Sequence, residues 1–220
     1  LNEFPFTDAI NMICALPDEM KYDGPNIIMH SVIELAKKAS ITKRFCDMKV
    51  AEFVDITNEE REIQFAAITF LLPDDTAFAS FRGTDNTLVG WKEDLNMSFI
   101  DGIPSQLEAA KYVDNLLTNT DRPIRLGGHS KGGNLAIWAS AHQQPEYKNR
   151  IIQIYSNDGP GFGEHFLNSS LYQDIRSKIL SFVPESSIVG VLMEHDQYIT
   201  ILSKRPTILQ HDPFSWIVRG

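Results

Sequence analysis

A serine hydroxyl attacks a carbonyl only when three conditions meet. The chain must thrust it out on a sharp turn, a base must take its proton, and amide dipoles must receive the developing charge. Ser130 stands in a stretch that meets the first condition. Gly128, Ser130 and Gly132 form Gly-x-Ser-x-Gly within Ile124-Arg125-Leu126-Gly127-Gly128-His129-Ser130-Lys131-Gly132-Gly133. The bare pentapeptide arises by chance in roughly one chain of this length in fifteen. The context carries the inference: an apolar strand precedes the serine and a helical pattern follows it, with glycines where a side chain would strike the neighbouring strand or helix. The Lys131 N–H, opening that helix, is placed to face a developing oxyanion. A second donor is expected from Phe81-Arg82-Gly83-Thr84-Asp85, where Thr84 offers its N–H and its hydroxyl. Taken alone, that segment reads equally well as a strand-ending turn with a capping threonine.

The base must be a histidine, oriented by a carboxylate, and in this arrangement the chain order is serine, acid, histidine. His165, His195 and His211 follow Ser130. His165 falls in a predicted helix directly after Gly159-Pro160-Gly161, too early to follow both partners. His195 and His211 compete. His211 is preferred because it lies past the last predicted strand, where a loop can turn back over Ser130. For the acid, Asp158 ends the next strand and reaches the same sheet edge, with Glu185 in reserve. The bland reading of Asp158 is a turn carboxylate capping the Gly159–Gly161 bend. No His-x-x-x-His or His-Glu-x-x-His spacing occurs, so neither a metal nor another cofactor is expected.

The elements that must position these groups follow from periodicity. Thr7 is expected to cap a helix carrying Ala9, Ile10, Ile13 and Leu16, and Asn26 to open a second ending at Lys37 and Lys38. Period two then marks strands at Val50–Ile56, Ile63–Leu71 and Thr76–Phe81, close enough in sequence for an antiparallel meander at one sheet edge. A helix after Pro104 carries Leu107, Ala110, Val113, Leu116 and Leu117 as one stripe. Beyond it strands and helices alternate: Ile124–Leu126, Ile151–Tyr155, a helix over Leu171–Lys178, then Ile179–Val183 and Tyr198–Leu202. Alternation of this kind requires an α/β fold, a mostly parallel central sheet with helices on both faces, and collects active groups at the strands' carboxyl ends.

Composition bounds the remainder. At 220 residues with 43% hydrophobic and 22% charged content, the chain reads as a single globular domain over residues 1–220 that could belong to a longer protein. A net charge of −9 argues against nucleic acid as a partner. Cys14 and Cys46 read as unpaired buried thiols. No apolar run is long enough for a membrane span, and no signal peptide is evident, which suggests the cytoplasm.

Three segments together resemble the class 3 lipases of the α/β-hydrolase fold: Phe81 to Thr84, Trp91-Lys92-Glu93-Asp94-Leu95, and Gly128 to Gly133. Lys131 after the serine, Asn157-Asp158-Gly159-Pro160-Gly161-Phe162, His211-Asp212 and Ser215-Trp216 bring the resemblance closer to the bacterial Mbeg1-like proteins, over about residues 4 to 218. The resemblance implies an ester or lipid-like small-molecule substrate, possible transient contact with a lipid interface, and an acyl-serine intermediate. It also implies a lid at Leu88, Val89 and Trp91, residues that serve equally as the core face of a short helix. The sequence departs from the lipase pattern at Ser186-Ser187-Ile188-Val189, where those enzymes carry their acid. That departure keeps open a second function, a catalytically weak or inactive domain of this fold that binds a ligand or partner protein.

Overall fold

The period-two runs become one sheet whose spatial order is the order of the strands in sequence: β1 (Phe4–Pro5), β2 (Lys49–Asn58), β3 (Ile63–Leu71), β4 (Ala77–Phe81), β5 (Ile124–His129), β6 (Ile151–Asn157), β7 (Ile179–Pro184) and β8 (Ile199–Ile201). The structure is a computed structural model that describes residues 1–17, 27–84, 90, 97 and 102–218. Neighbours from β1 to β4 pair antiparallel, and from β4 to β8 they pair parallel. The change of sense has a simple cause. Short turns join β2 to β3 and β3 to β4, whereas longer connections carry β4 to β5, β5 to β6 and β6 to β7, and a parallel return needs such a crossover. Asn58 Oδ1 accepts from the Arg61 N–H (2.9 Å) in the first of those turns.

Among the described residues, the helices with described bounds are α1 (Phe6–Ala15), α2 (Ile27–Ser40), α3 (Pro104–Asn119), α4 (Lys131–Ala141) and the short α5 (Pro145–Lys148), α6 (Glu164–Leu167) and α7 (Ser170–Gln173). Alternation along β3 shows that both sheet faces are covered. Phe65, Ala67 and Leu71 join a core with Tyr112, Val113 and Leu116 of α3 and Leu135 and Trp138 of α4. Phe70 points the other way and meets Phe6 of α1 edge-on, with ring centroids 6.0 Å apart. Within the larger core, the Thr69 and Tyr112 hydroxyls share a buried hydrogen bond of 2.7 Å, so this polar pair satisfies itself.

Several local expectations are corrected. Thr7 lies inside α1 rather than capping it, and its hydroxyl donates instead to the Ser40 and Cys46 carbonyls. The buried stripe of α3 is rotated from the one expected. Leu107 is exposed, while Gln106, Ala109 and Tyr112 face inward with Val113, Leu116 and Leu117. Leu171–Lys178 is not one helix: α7 ends at Gln173 and a 3₁₀ turn, Arg176–Lys178, follows. Both cysteines are free but only half-buried. Among the described residues, no helix is long and apolar enough to cross a membrane.

Candidate active site

Ser130 forms the whole connection between β5 and α4, since His129 ends the strand and Lys131 begins the helix. A turn this short forces the serine to φ 58°, ψ −133°, a region that only glycine occupies without strain. The cost is on the order of 1–3 kcal/mol and must be met by the packing around it. That packing is close. A Cβ on Gly128 would stand 2.5 Å from the Phe81 carbonyl oxygen, and one on Gly132 would collide with the same atom. β4 and the first turn of α4 therefore approach each other directly, backbone to backbone, and the serine is pushed outward. The Ser130 N–H donates to the Asn157 carbonyl (2.9 Å), tying the turn to the end of β6.

The end of β4 reaches the same point. A Cβ on Gly83 would lie 3.2 Å from Ser130 Cβ, which sets Thr84, the next residue, at the rim of the Ser130 turn. Lys131 contributes its backbone to this corner, because its side chain is buried beneath it. Its ammonium donates to the Gln64 carbonyl (2.9 Å) and side-chain oxygen (2.7 Å), anchoring the first residue of α4 to β3.

Asp158 immediately follows β6 at φ 52°, held there by its N–H donating to the Phe182 carbonyl of β7 (2.8 Å). Its carboxylate is fully buried and lies 2.7 Å from His211 Nδ1. His211 ends a 3₁₀ turn, Thr207–His211, that is latched from three directions. The Ser186 N–H donates to Gln210 Oε1 (2.9 Å), Trp216 Nε1 donates to the Gln210 carbonyl (2.8 Å), and His129 Nε2 meets the His211 carbonyl at 2.7 Å. His129 also packs its ring against that of His211, centroids 4.4 Å apart. Burial and then the neighbouring His211 push the His129 pKa down to about 4, so it stays neutral near pH 7 and its Nε2–H donates to the carbonyl. Among the described residues no hydrogen bond joins Ser130 Oγ to His211. His129, adjacent to Ser130 in the chain, is the residue that contacts the His211 segment.

A buried amide network sets the loop that follows Asp158. Asn134 Nδ2 donates to the Pro160 (3.2 Å) and Gly161 (2.9 Å) carbonyls, and Asn134 Oδ1 accepts from Gln106 Nε2 (2.8 Å). Gln106 Oε1 in turn accepts the Gly102 and Ile103 N–H groups at 3.0 Å each. Helix α4 thus carries the residue that fixes the turn beyond Asp158.

Of the sequence-derived site residues, the structure brings Ser130, Lys131, Thr84, Asp158 and His211 to one edge of the sheet. His195, the competing histidine, lies near the Phe162–Glu194 bridge, its Nε2 buried and its pKa lowered by that burial. His165 and Glu185 are exposed. Leu88, Val89, Trp91 and Asp94 fall outside the described residues. The residues that sequence reasoning passed over are His129, Gln106, Asn134 and Ser187. Only His129 carried a signal, its place directly before the serine.

Comparison with known proteins agrees with this architecture. Residues 39–220 match the family described as Mbeg1-like. The chain belongs to the Mbeg1-like family. No curated protein matches it in sequence. Among solved structures, this member of the Mbeg1-like family is similar to the Rhizomucor miehei lipase propeptide complex. Against a deletion mutant of that complex the TM-score is 0.58 at 15% identity, covering 93% of this chain and 77% of that one. Against the native complex it is 0.52 at 18% identity, covering 89% and 66%. At such identities the likeness establishes the fold, which is the α/β-hydrolase fold.

Proposed function

We propose that this Mbeg1-like chain is a serine hydrolase of carboxylic esters, with Ser130 as nucleophile, His211 as base and Asp158 as its orienting acid. The observation that carries the reading is the 2.7 Å contact of buried Asp158 with His211 Nδ1, at the sheet edge where Ser130 is held at φ 58°. A carboxylate on Nδ1 keeps the proton on that nitrogen, so Nε2 is the lone-pair nitrogen that can take the serine proton. Ser130 Oγ then bonds to the ester carbonyl carbon as its proton passes to His211 Nε2. The oxyanion forms against the Lys131 and Thr84 amides. Collapse breaks the bond to the alkoxide, which leaves with the proton from His211. Water, deprotonated by the same nitrogen, releases the carboxylic acid and restores Ser130.

Exposed apolar side chains on the segments flanking the site, Ile188, Val191, Leu192, Ile208 and Leu209, support an apolar acyl group as substrate. The alternative, a catalytically weak or inactive domain that binds a ligand or partner protein, drew its support from the carboxylate missing at Ser186–Val189. The Asp158–His211 contact supports the hydrolase reading over it. The test is intact mass after incubation with a fluorophosphonate, followed by hydrolysis of p-nitrophenyl esters of increasing chain length. One adduct on the wild type and none on Ser130→Ala is the expected result. A folded wild type that takes no adduct, with or without detergent, refutes the proposal.

A further inference from the structure

We infer that Ser187 is a positioning residue for this site, acting through Asp158 on His211; the inference rests on the hydrolase reading above. Asp158 is fully buried, and its two carboxylate oxygens have separate partners. Oδ2 faces His211 Nδ1, and Oδ1 accepts a hydrogen bond of 2.5 Å from Ser187 Oγ. The direction of that bond is determined. Ser187 Oγ also accepts the Gly190 N–H (2.9 Å), which leaves its single proton for the carboxylate. Ser187 is itself buried and its N–H donates to the Pro184 carbonyl (3.0 Å), so the hydroxyl arrives on a hydrogen-bonded turn. Around Oδ1 there is little room for a substitute. A Cβ on Gly190 would collide with that oxygen.

The consequence is geometric. A buried carboxylate held by one hydrogen bond can rotate about its Cβ–Cγ bond, whereas one held at both oxygens presents Oδ2 to the imidazole in a single orientation. The hydroxyl also satisfies an oxygen that burial would otherwise leave without a donor. Ser187 touches no reacting atom. Its effect must pass through Asp158, and this separates it from a serine that merely stabilises the Pro184–Gly190 turn.

A double-mutant cycle with a soluble ester separates the two roles. Ser187→Ala is expected to lower kcat about ten- to hundredfold with KM nearly unchanged, the effect of losing one hydrogen bond to a charged group. Ser187→Thr, which keeps the hydroxyl, is expected to restore most of that loss. In an Asp158→Asn background, Ser187→Ala should cost less than about twofold, because residues acting as a unit are not additive. Losses that multiply in the double variant overturn the inference. A second readout needs no turnover: the low-field proton resonance of His211 Nδ1–H, present in the wild type and absent in Asp158→Asn, should move in Ser187→Ala. An unmoved resonance overturns the inference. If Ser130→Ala keeps wild-type activity, the hydrolase reading fails separately, and the resonance alone still decides whether Ser187 orients the pair.

Discussion

Acidification should destabilise the protein through His129, by an amount that can be worked out. The pKa of this ring falls from 6.5 to about 4 on folding, chiefly because burial disfavours the charged imidazole. The folded state therefore resists the proton that the unfolded chain accepts. The associated stability is fully present above the unfolded value and is lost as pH falls through that value towards the folded one. The loss amounts to about 2 kcal/mol by about pH 5 and levels off near 3 kcal/mol below about pH 4. Carboxylates and His195 titrate as well, so the informative quantity is a difference. His129→Gln keeps an amide donor for the His211 carbonyl but cannot titrate. Urea unfolding of both proteins from about pH 7 to about pH 5 should show the wild type losing about 2 kcal/mol more than the variant. Equal losses in the two proteins would refute the argument that a buried, neutral His129 holds the His211 segment.

Asp158→Asn should lower kcat by about 10⁴, the cost of an amide that favours the wrong imidazole tautomer, and slow fluorophosphonate labelling in parallel. Undiminished labelling would point to another acid. Gly132→Ala sets a methyl group against the Phe81 carbonyl and should destabilise by about 1–3 kcal/mol, read by denaturant titration, with slower labelling of Ser130. Asn134→Leu leaves the Pro160 and Gly161 carbonyls without their side-chain donor and Gln106 Nε2 without its acceptor. A loss of about 3 kcal/mol, or roughly 6–12 °C in Tm, is expected, and an unchanged Tm would show that water replaces the amide.

The parts of the site that could be read in the sequence are those whose constraint is local. Ser130, its glycines and the Lys131 amide lie within one strand–turn–helix, so residue types a few positions apart encode the geometry. The antiparallel edge from β2 to β4 was legible for the same reason, since period two and short turns leave little alternative. Errors arose where a local signal was weak or shared. Thr7 had the residue type of a cap but bonds two carbonyls across the fold. Leu107 fits the helical period of α3, yet the face that meets α4 and β3 is turned towards Gln106 and Tyr112 because the Gln106–Asn134 amide bond and the Tyr112–Thr69 hydroxyl pair face inward.

By itself, the sequence determined the Gly-x-Ser-x-Gly turn, the α/β alternation and the strand ends at which polar groups gather, because each follows from backbone sterics and periodicity over a dozen residues or fewer. Only the tertiary structure decided which histidine meets which carboxylate. His211 and Asp158 lie 53 positions apart; their places after predicted strands favoured them over His195 and Glu185, but no spacing in the chain records the contact itself. Parallel pairing of β6 with β7 puts Asp158 beside the turn that carries Ser187, and the latches at Gln210, Trp216 and His129 turn the C-terminal segment back onto it. Contacts of that separation depend on where whole elements pack, which no short spacing in the chain records.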